Sequence, residues 1–592
     1  MRNVTSIQRC AAQASKFNRL AWFLFAAILA VSTCATATAQ PLCEGHRCIY
    51  PEQRRIEFRQ PAQLETSGLD GSGRPPTVLN GLQPENERLI SLDEAIQLVI
   101  QNADVIRILG GTFANSSGQT VYDPAITNTQ IDQARATFDP NLVLNNNYSR
   151  NENPGAAIDG GAPAGASINA VDVDSYSLGM TLAQQKANGA NVSLGVNTNP
   201  TRVASPGLAL NPQTPSSVDL NYTQPLLRGR GVDVNTAPIV IARVNTERSL
   251  YQLKDTVQEM VRSVIDGYWG LVFARTDLWA RQQQVEQLEF AFNFLDAQRK
   301  VGRADIGDTA QAEVSLASFR AALIAARADL INREIAFLNV LGLPPNTRLR
   351  LVPSTEPIRD RITVDWETIL LAAEQNRPDI IDRKLAVEID CQQILVANNN
   401  TLPQLDAVSQ FGTNALGGRS PTGNTISNEL FQFTDILLGL NFSLPVGQRL
   451  ARANLRQQQL VLARDRALLK QQLHAAQHAL ALNLRNLDTF YEQYEAFRKV
   501  RKASRTNVDR QLELFRIGGL PTERVTAIQV LQAVTDWGNS VSSEASSLTQ
   551  YNTEIANLSR QTGTILEDHG IYFYEEGFDS LGPGGRKNSV SN

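Results

Sequence analysis

Beyond its first forty residues the chain has no apolar run approaching the ~20 residues that a membrane helix requires. If the rest of it crosses a bilayer, it must do so as a closed β-barrel. Reactive side chains are scarce too. The 592 residues include only 4 His, 5 Cys and 3 Met, and they form no nucleophilic triad and no paired acid and base. Lys and Arg number 55 against 59 Asp and Glu, a net charge of −4. That balance argues against a nucleic-acid surface. Neither enzymatic activity nor a cofactor is expected.

The few remaining chemical candidates have plainer readings. His474 and His478 lie one helical turn apart, the spacing of a metal-binding pair, but no acidic neighbour accompanies them as in a zinc helix. A solvated helix face is the better account. Arg228-Gly229-Arg230-Gly231 lacks the third glycine and the βαβ setting of a phosphate cradle, so a strand-to-helix corner is expected. Cys391 sits in a helical stretch with no partner and reads as a small buried residue.

The N-terminus carries an export signal. Arg2, Arg9, Lys16 and Arg19 precede an apolar run from Leu20 to Val31, and Ala37-Thr38-Ala39 offers a cleavage site. Residues 1–39 are therefore read as a signal peptide, which removes Cys10 and Cys34; lipidation of Cys34 is the weaker alternative. Residues 40–87 read as a flexible leader. Within it Cys43 and Cys48 either close a small disulfide loop or stay as free thiols.

From about Val234 to about Val301 an uninterrupted helix is expected. Its stripe of Val257, Met260, Val264, Gly267, Leu271, Ala274 and Leu278, continuing to Leu295, steps by three and four as a coiled-coil seam does. At ~1.5 Å per residue such a helix is on the order of 100 Å long. After Gly302 a second heptad run, Val314, Ala317, Ala321, Ile324, Ala328, Ile331, Ile335 and Leu338, is expected to pack back on it.

The pattern then repeats. Ser91 and Glu94 open a capped helix, and Thr363 to Trp366 open another. Ile131, Ala134 and Pro140 recur at the same spacing as Ile394, Ala397 and Pro403, and after each proline the period drops to 2. Returning strands close at Pro225 and at Pro445 before further long helices. Pro140, Pro225, Pro403 and Pro445 thus mark the helix–strand junctions. The first repeat covers 88–350, with strands about 140–226 and long helices about 233–301 and 308–342. The second covers 351–566, with strands about 403–445 and long helices about 449–516 and 522–566. Residues 567–592 read as a disordered tail.

Strands with one apolar and one polar face suit a wall between lipid and water. Four strands cannot close a barrel alone, so several protomers would have to share one. Tyr176 to Leu182 and Val192 to Val196 flank Asn188-Gly189, a hairpin signal. They are either two further wall strands, giving six per protomer, or an extended loop.

In the order of these motifs the chain resembles the TolC-like outer-membrane efflux proteins. The matching residues are Ser91 to Ile106, Gln224-Pro225-Leu226-Leu227, Val301-Gly302 with Asp308, Leu341-Gly342-Leu343-Pro344, Arg377-Pro378-Asp379-Ile380, Phe442-Ser443-Leu444-Pro445 and Ile517-Gly518. The resemblance implies an α+β membrane protein: a homotrimer whose coiled-coil helical barrel crosses the periplasm and continues into a shared β-barrel in outer-membrane lipid. It further implies a passive exit duct working with a periplasmic adaptor and an inner-membrane pump, in efflux or type I secretion. The docking and gating tips would be Val301, Gly302 and Asp308, and Ile517, Gly518 and Arg524. Here the chain departs from acid-ringed members, because Arg524 and Ala527 replace aspartates and Leu520 replaces an arginine. A weak cation preference is expected. The alternative is an exported coiled-coil stalk or adaptor without a pore, although the small β-barrel insertion of an adaptor is not seen.

Overall fold

The structure, a computed structural model, describes residues 77–78, 86–111, 113–159, 165–204, 208–302, 305–344, 349–429, 431–517 and 527–572. The signal peptide, nearly all of the leader and its cysteines lie outside the described residues, as do Gly518, Leu520 and Arg524. The elements run β1 (Asn86–Ile90), α1 (Leu92–Gln101), β2 (Val105–Gly110), β3 (Phe113–Thr120), α2 (Asp123–Arg135), β4 (Asn141–Asp159), β5 (Gly165–Gln185), β6 (Asn191–Thr198), β7 (Thr201–Val203) and β8 (Gln213–Pro225). The first long hairpin is α3 (Val232–Lys300) and α4 (Ile306–Val340). The second half follows as β9 (Leu349–Pro353), α5 (Trp366–Asn376), α6 (Pro378–Asn399), β10 (Gln404–Arg419), β11 (Thr425–Ser427), β12 (Phe433–Ser443), α7 (Arg449–Arg516), α8 (Ala527–Thr562) and α9 (Ile565–Asp568).

Local chemistry sets the two copies of the repeat. Ser91 caps α1 by accepting from the Glu94 N–H at 3.2 Å, and Asp365 caps α5 by accepting from the Thr368 N–H at 3.0 Å. The copies differ between these helices and the next. Arg377-Pro378 passes directly from α5 to α6, whereas the first copy inserts the β2–β3 hairpin, with Gly111 in the left-handed region at φ 73°. Ile106 and Leu109 from that hairpin are buried in the main apolar core. The helical reading of the sequence stopped at Ile106 and missed the hairpin. It also missed β1 and β9, which pair in parallel and tie together the starts of the two repeats.

In the long-helix layer α3 packs against α4 on one side and α8 on the other, and α8 packs in turn against α7. The α3 seam is buried at Val257, Met260, Val264, Leu271, Ala274 and Leu278, and Val261, Ile265, Tyr268 and Trp269 widen it. Two helix expectations need correction. Pro238 lies inside α3, in its second turn, so the helix does contain a breaker residue yet continues through it to Lys300. The Val314–Leu338 heptad run packs on α3 only at its end, where Leu338 is buried in the same core; its first half, Val314 to Ile324, is not the packed face. Ala312, Leu316, Ala326, Leu330 and Phe337 are buried instead, while Val314 is 65% and Ile324 56% exposed. A helix with neighbours on two sides carries two stripes, and periodicity alone does not say which neighbour each stripe meets.

The last helix also ends earlier than its sequence pattern. Gly563, at φ 81°, stops α8 and a short α9 follows. Ile565 and Leu566 are buried, Ile571 packs on the same core, and the Ile571 N–H donates to the Leu566 carbonyl at 2.8 Å. Residues 567–572 therefore belong to the fold, and 573–592 lie outside the described residues. Cys391 is exposed on α6, contrary to the buried reading.

Helices α3 and α8 meet tightly at Gln284 and Gly538. Gln284 is fully buried and its Nε2 donates to the Val534 and Thr535 carbonyls, each at 3.3 Å. A Cβ on Gly538 would stand 2.0 Å from that Nε2. Gly538→Ala should therefore destabilise the protein by about 1–3 kcal/mol through overpacking. A lowered thermal midpoint of the purified variant, with Gln284→Ala in the same background relieving part of the loss, is the expected result.

Candidate functional site

The candidate site is a path along the chain rather than a pocket, and it begins with a sheet. Strands β4, β5, β6, β8, β10 and β12 pair in that order, each antiparallel to the next. The short β7 keeps the β6 register against both β5 and β8, so the two act as one strand across Asn199-Pro200. The pairing makes six strands wide what sequence reading left open between four and six.

Register decides which residues share a face, because directly paired residues point the same way. One face joins Leu142, Leu182, Leu194 and Leu220 across four strands through direct pairs, and Phe411 and Ile436 continue that row. Along β12 the same face presents Ile436, Leu438, Leu440 and Phe442, with Leu438 77% exposed. The opposite face carries Asn145, Thr181, Ser193, Asp219, Asn221, Gln410 and Asn441. An exposed apolar face beside a polar one, unbroken over six strands, is the pattern of a lipid-facing wall around an aqueous interior. Beyond the paired Tyr148 and Tyr176, the apolar face ends at a charged cluster in which Arg150 reaches Glu152 at 2.8 Å and Asp172 at 3.6 Å. Among the described residues no helix is long and apolar enough to cross a membrane.

The junction prolines sit where sheet becomes helix: Pro140 just before β4, Pro225 ending β8, Pro403 just before β10 and Pro445 just after β12. At the β8–α3 corner Gly229 and Gly231 take φ values of 83° and 111°, which side-chain-bearing residues rarely adopt. The Gly229 N–H donates to Asn399 Oδ1 at 2.7 Å, and Asn235 Nδ2 donates to the carbonyls of Gly229 (2.8 Å) and Gly231 (2.7 Å). The Arg228–Gly231 segment is thus a stapled corner, with its polar groups already engaged.

At the far end of the helices the last turns of α3 and α7 lie together. Phe294 of α3 meets Phe515 of α7 with ring centroids 4.8 Å apart, and Arg516 lies over the Phe290 ring at 5.1 Å. Asp305 caps α4 by accepting from the Ile306 N–H at 2.7 Å, and Asp308 is exposed in its first turn. Val301, Ile306 and Ile517 are large apolar residues left exposed here, while Gly302 makes the turn at φ 73°. Arg299 and Lys300 both pair with Asp296 and hold its carboxyl below its ordinary range, mainly through the hydrogen bonds they donate. His474 and His478 are exposed with their rings edge to face, 4.5 Å apart, and no metal-binding cluster is found among the described residues.

Sequence reading also missed a buried carboxyl pair between α6 and α7. Asp390 is buried beside Asp465, whose carboxylate is held by Arg464 at 2.7 and 3.0 Å. Burial first, then the hydrogen bond and charge of Asp465, raise the Asp390 carboxyl to about 6. Asp390 Oδ2 has no donor from the protein, so the pair is complete only with a shared proton. The Asp465 carboxyl is lowered, chiefly by Arg464, so its own loss of stability comes only in stronger acid. Between about pH 4 and about pH 6 the folded chain binds a proton that the unfolded chain lacks, so stability falls as pH rises through that window. Asp390→Asn should flatten that slope, read as thermal midpoint against pH.

A family model described as outer membrane efflux protein matches residues 125–343. No curated protein sequence matches the chain. Among solved structures the fold is similar to a membrane protein from Pseudomonas aeruginosa, at TM-score 0.57 and 18% identity, covering 80% of this chain and 93% of that one. It is also similar to the CmeC outer membrane channel of Campylobacter jejuni, at TM-score 0.54 and 15% identity over 85% and 91% of the two chains. The open state of the MtrE outer membrane channel of Neisseria gonorrhoeae gives TM-score 0.53 and 15% identity over 80% and 89%. At such identities these likenesses establish the fold.

Proposed function

We propose that this chain, a TolC-like outer-membrane efflux protein seated in the outer membrane, extending into the periplasm and not an enzyme, is the passive exit duct of a tripartite efflux or type I secretion system. Three copies would share one barrel, with an inner-membrane pump supplying energy and a periplasmic adaptor docking at the helical tips. The observation that carries this reading is the apolar face running in register across six strands and joined directly to helices on the order of 100 Å long. A stalk without a pore would leave that face in water, where an apolar surface of this extent is a liability.

Docking and gating are assigned to Val301, Gly302, Asp308, Ile517, Gly518 and Arg524. Exposed Val301, Ile306 and Ile517 offer apolar anchors beside charged residues, a combination suited to a protein partner. Arg524 at a narrow ring would disfavour cations through its fixed charge. No cargo recognition is built into a wide polar duct, so cargo choice would fall to the pump.

The mature protein, extracted from outer membranes in detergent and corrected for bound detergent, should have the mass of a trimer and conduct ions in a planar bilayer. A monomer or dimer soluble without detergent would end the channel reading. In the same bilayers the reversal potential should show little cation preference, and Arg524→Asp should shift it toward cations. A strongly cation-selective wild type would remove Arg524 from the gate.

A further inference from the structure

We propose that the outer-membrane barrel of this protein is closed by eighteen strands, six from each of three protomers, with the β5–β6 hairpin as full wall strands. The proposal rests on the shared-barrel reading above and specifies how that barrel closes.

Three observations place the hairpin in the wall. First, β5 is paired along its length, to β4 on one side and to β6 and β7 on the other, while β6 pairs in turn with β8. Removing the hairpin would break both ladders and force β4 to re-pair with β8. Second, its apolar residues lie in the same rows as those of the flanking strands: Met180 pairs with Leu144 and with Val196, and Val196 with Val218. Third, its turn is seated at the sheet–helix boundary. The Lys186 N–H donates to the Ala190 carbonyl at 2.7 Å, Ala190 is fully buried, and the Gly231 N–H donates to the Asn188 carbonyl at 3.4 Å. A Cβ on Gly189 would stand 2.2 Å from the Gly229 carbonyl oxygen, so this turn is fitted against the β8–α3 corner. A surface loop would need neither the matched rows nor the seated turn.

The edges then fix the closure. β4 and β12 end the sheet, each paired on one side only. In lipid an unpaired row of backbone groups costs several kcal/mol per group, so both edges must be met. Alternation along the sheet makes β4 and β12 run in opposite directions, so β4 of one copy can pair antiparallel with β12 of the next. The helices follow the same order, since β4 leaves α2 and β12 enters α7. One head-to-tail contact, repeated, therefore closes both layers as a ring. Three copies of six strands give eighteen. Barrel diameter grows roughly linearly with strand number, so the lumen is about half again as wide as a closure by three times four strands, within the range that leaves an open aqueous channel. The barrel is thus a wide exit, and restriction falls to the helical tips.

Single cysteines in a background with Cys43→Ser, Cys48→Ser and Cys391→Ser test this in trimers of the mature protein reconstituted in lipid vesicles. Leu182→Cys and Thr181→Cys probe β5, Leu194→Cys and Ser193→Cys probe β6, and Leu220→Cys and Asn221→Cys on β8 serve as the reference. A membrane-impermeant maleimide should label the Thr181, Ser193 and Asn221 variants and lose its reaction at the three leucine positions, where a lipid-borne quencher instead reaches an attached fluorophore. Alternation on β8 with both faces of β5 and β6 labelled would overturn the eighteen-strand closure and leave the channel standing. Loss of alternation on β8 itself would overturn the shared barrel and this closure with it. An engineered disulfide between Asn145→Cys and Gly179→Cys, paired across β4 and β5, should form within one protomer without loss of the trimer; failure to form it in trimers that do assemble would count against the closure.

Discussion

Backbone hydrogen bonding at the two open edges of the sheet is the constraint on which the rest of the structure depends. Six strands satisfy one another internally, and their apolar residues are gathered on one face. That leaves β4 and β12 each with one side unpaired. Such edges template further pairing and are tolerated in membranes only when closed. The arrangement of the helices is subordinate to this. Their order, α4, α3, α8 and α7, puts α4 and α7 at the two ends of the row.

The exposed stripe on α4 has the same meaning at the helical level. Val314 and Ile324 keep coiled-coil spacing yet stay exposed among the described residues. The face that does pack on α3 is a different one, built from Ala312, Leu316, Ala326 and Leu330. In the proposed closed ring α4 would present two seams. One is satisfied on folding of the chain and the other would be satisfied on the proposed assembly, so folding and association would draw on the same kind of packing.

Where the two repeats join, tyrosines hold the linker in place. Tyr268 of α3 donates to the Ile90 carbonyl at 3.1 Å and accepts from the Thr355 N–H at 2.8 Å. Tyr551 of α8 does the equivalent, donating to the Asp360 carbonyl at 2.9 Å and accepting from the Ile362 N–H at 3.0 Å. Each buried hydroxyl thus satisfies one donor and one acceptor of irregular backbone. The first is buried in the same core as β9 and the inserted β2–β3 hairpin, which ties the asymmetry between the repeats to their junction.

Most local elements were legible in the sequence, because helix and strand periods, caps and prolines act over a few residues. Ser91 as a cap, the helix opening at Thr363 to Trp366, Pro140, Pro225, Pro403 and Pro445 at element boundaries, and the seam of α3 could all be read from spacing. The family resemblance likewise rested on the order of such short motifs. Only the tertiary structure decided which stripe of α4 faces inward, that Cys391 is exposed, and that Asp390 meets Asp465 across two helices. It also showed that β5 and β6 join the sheet, since a period of two shows that a strand has two faces but not which strand lies beside it. Those facts depend on residues far apart in the chain, and pairing between distant residues leaves no periodic signal in either one.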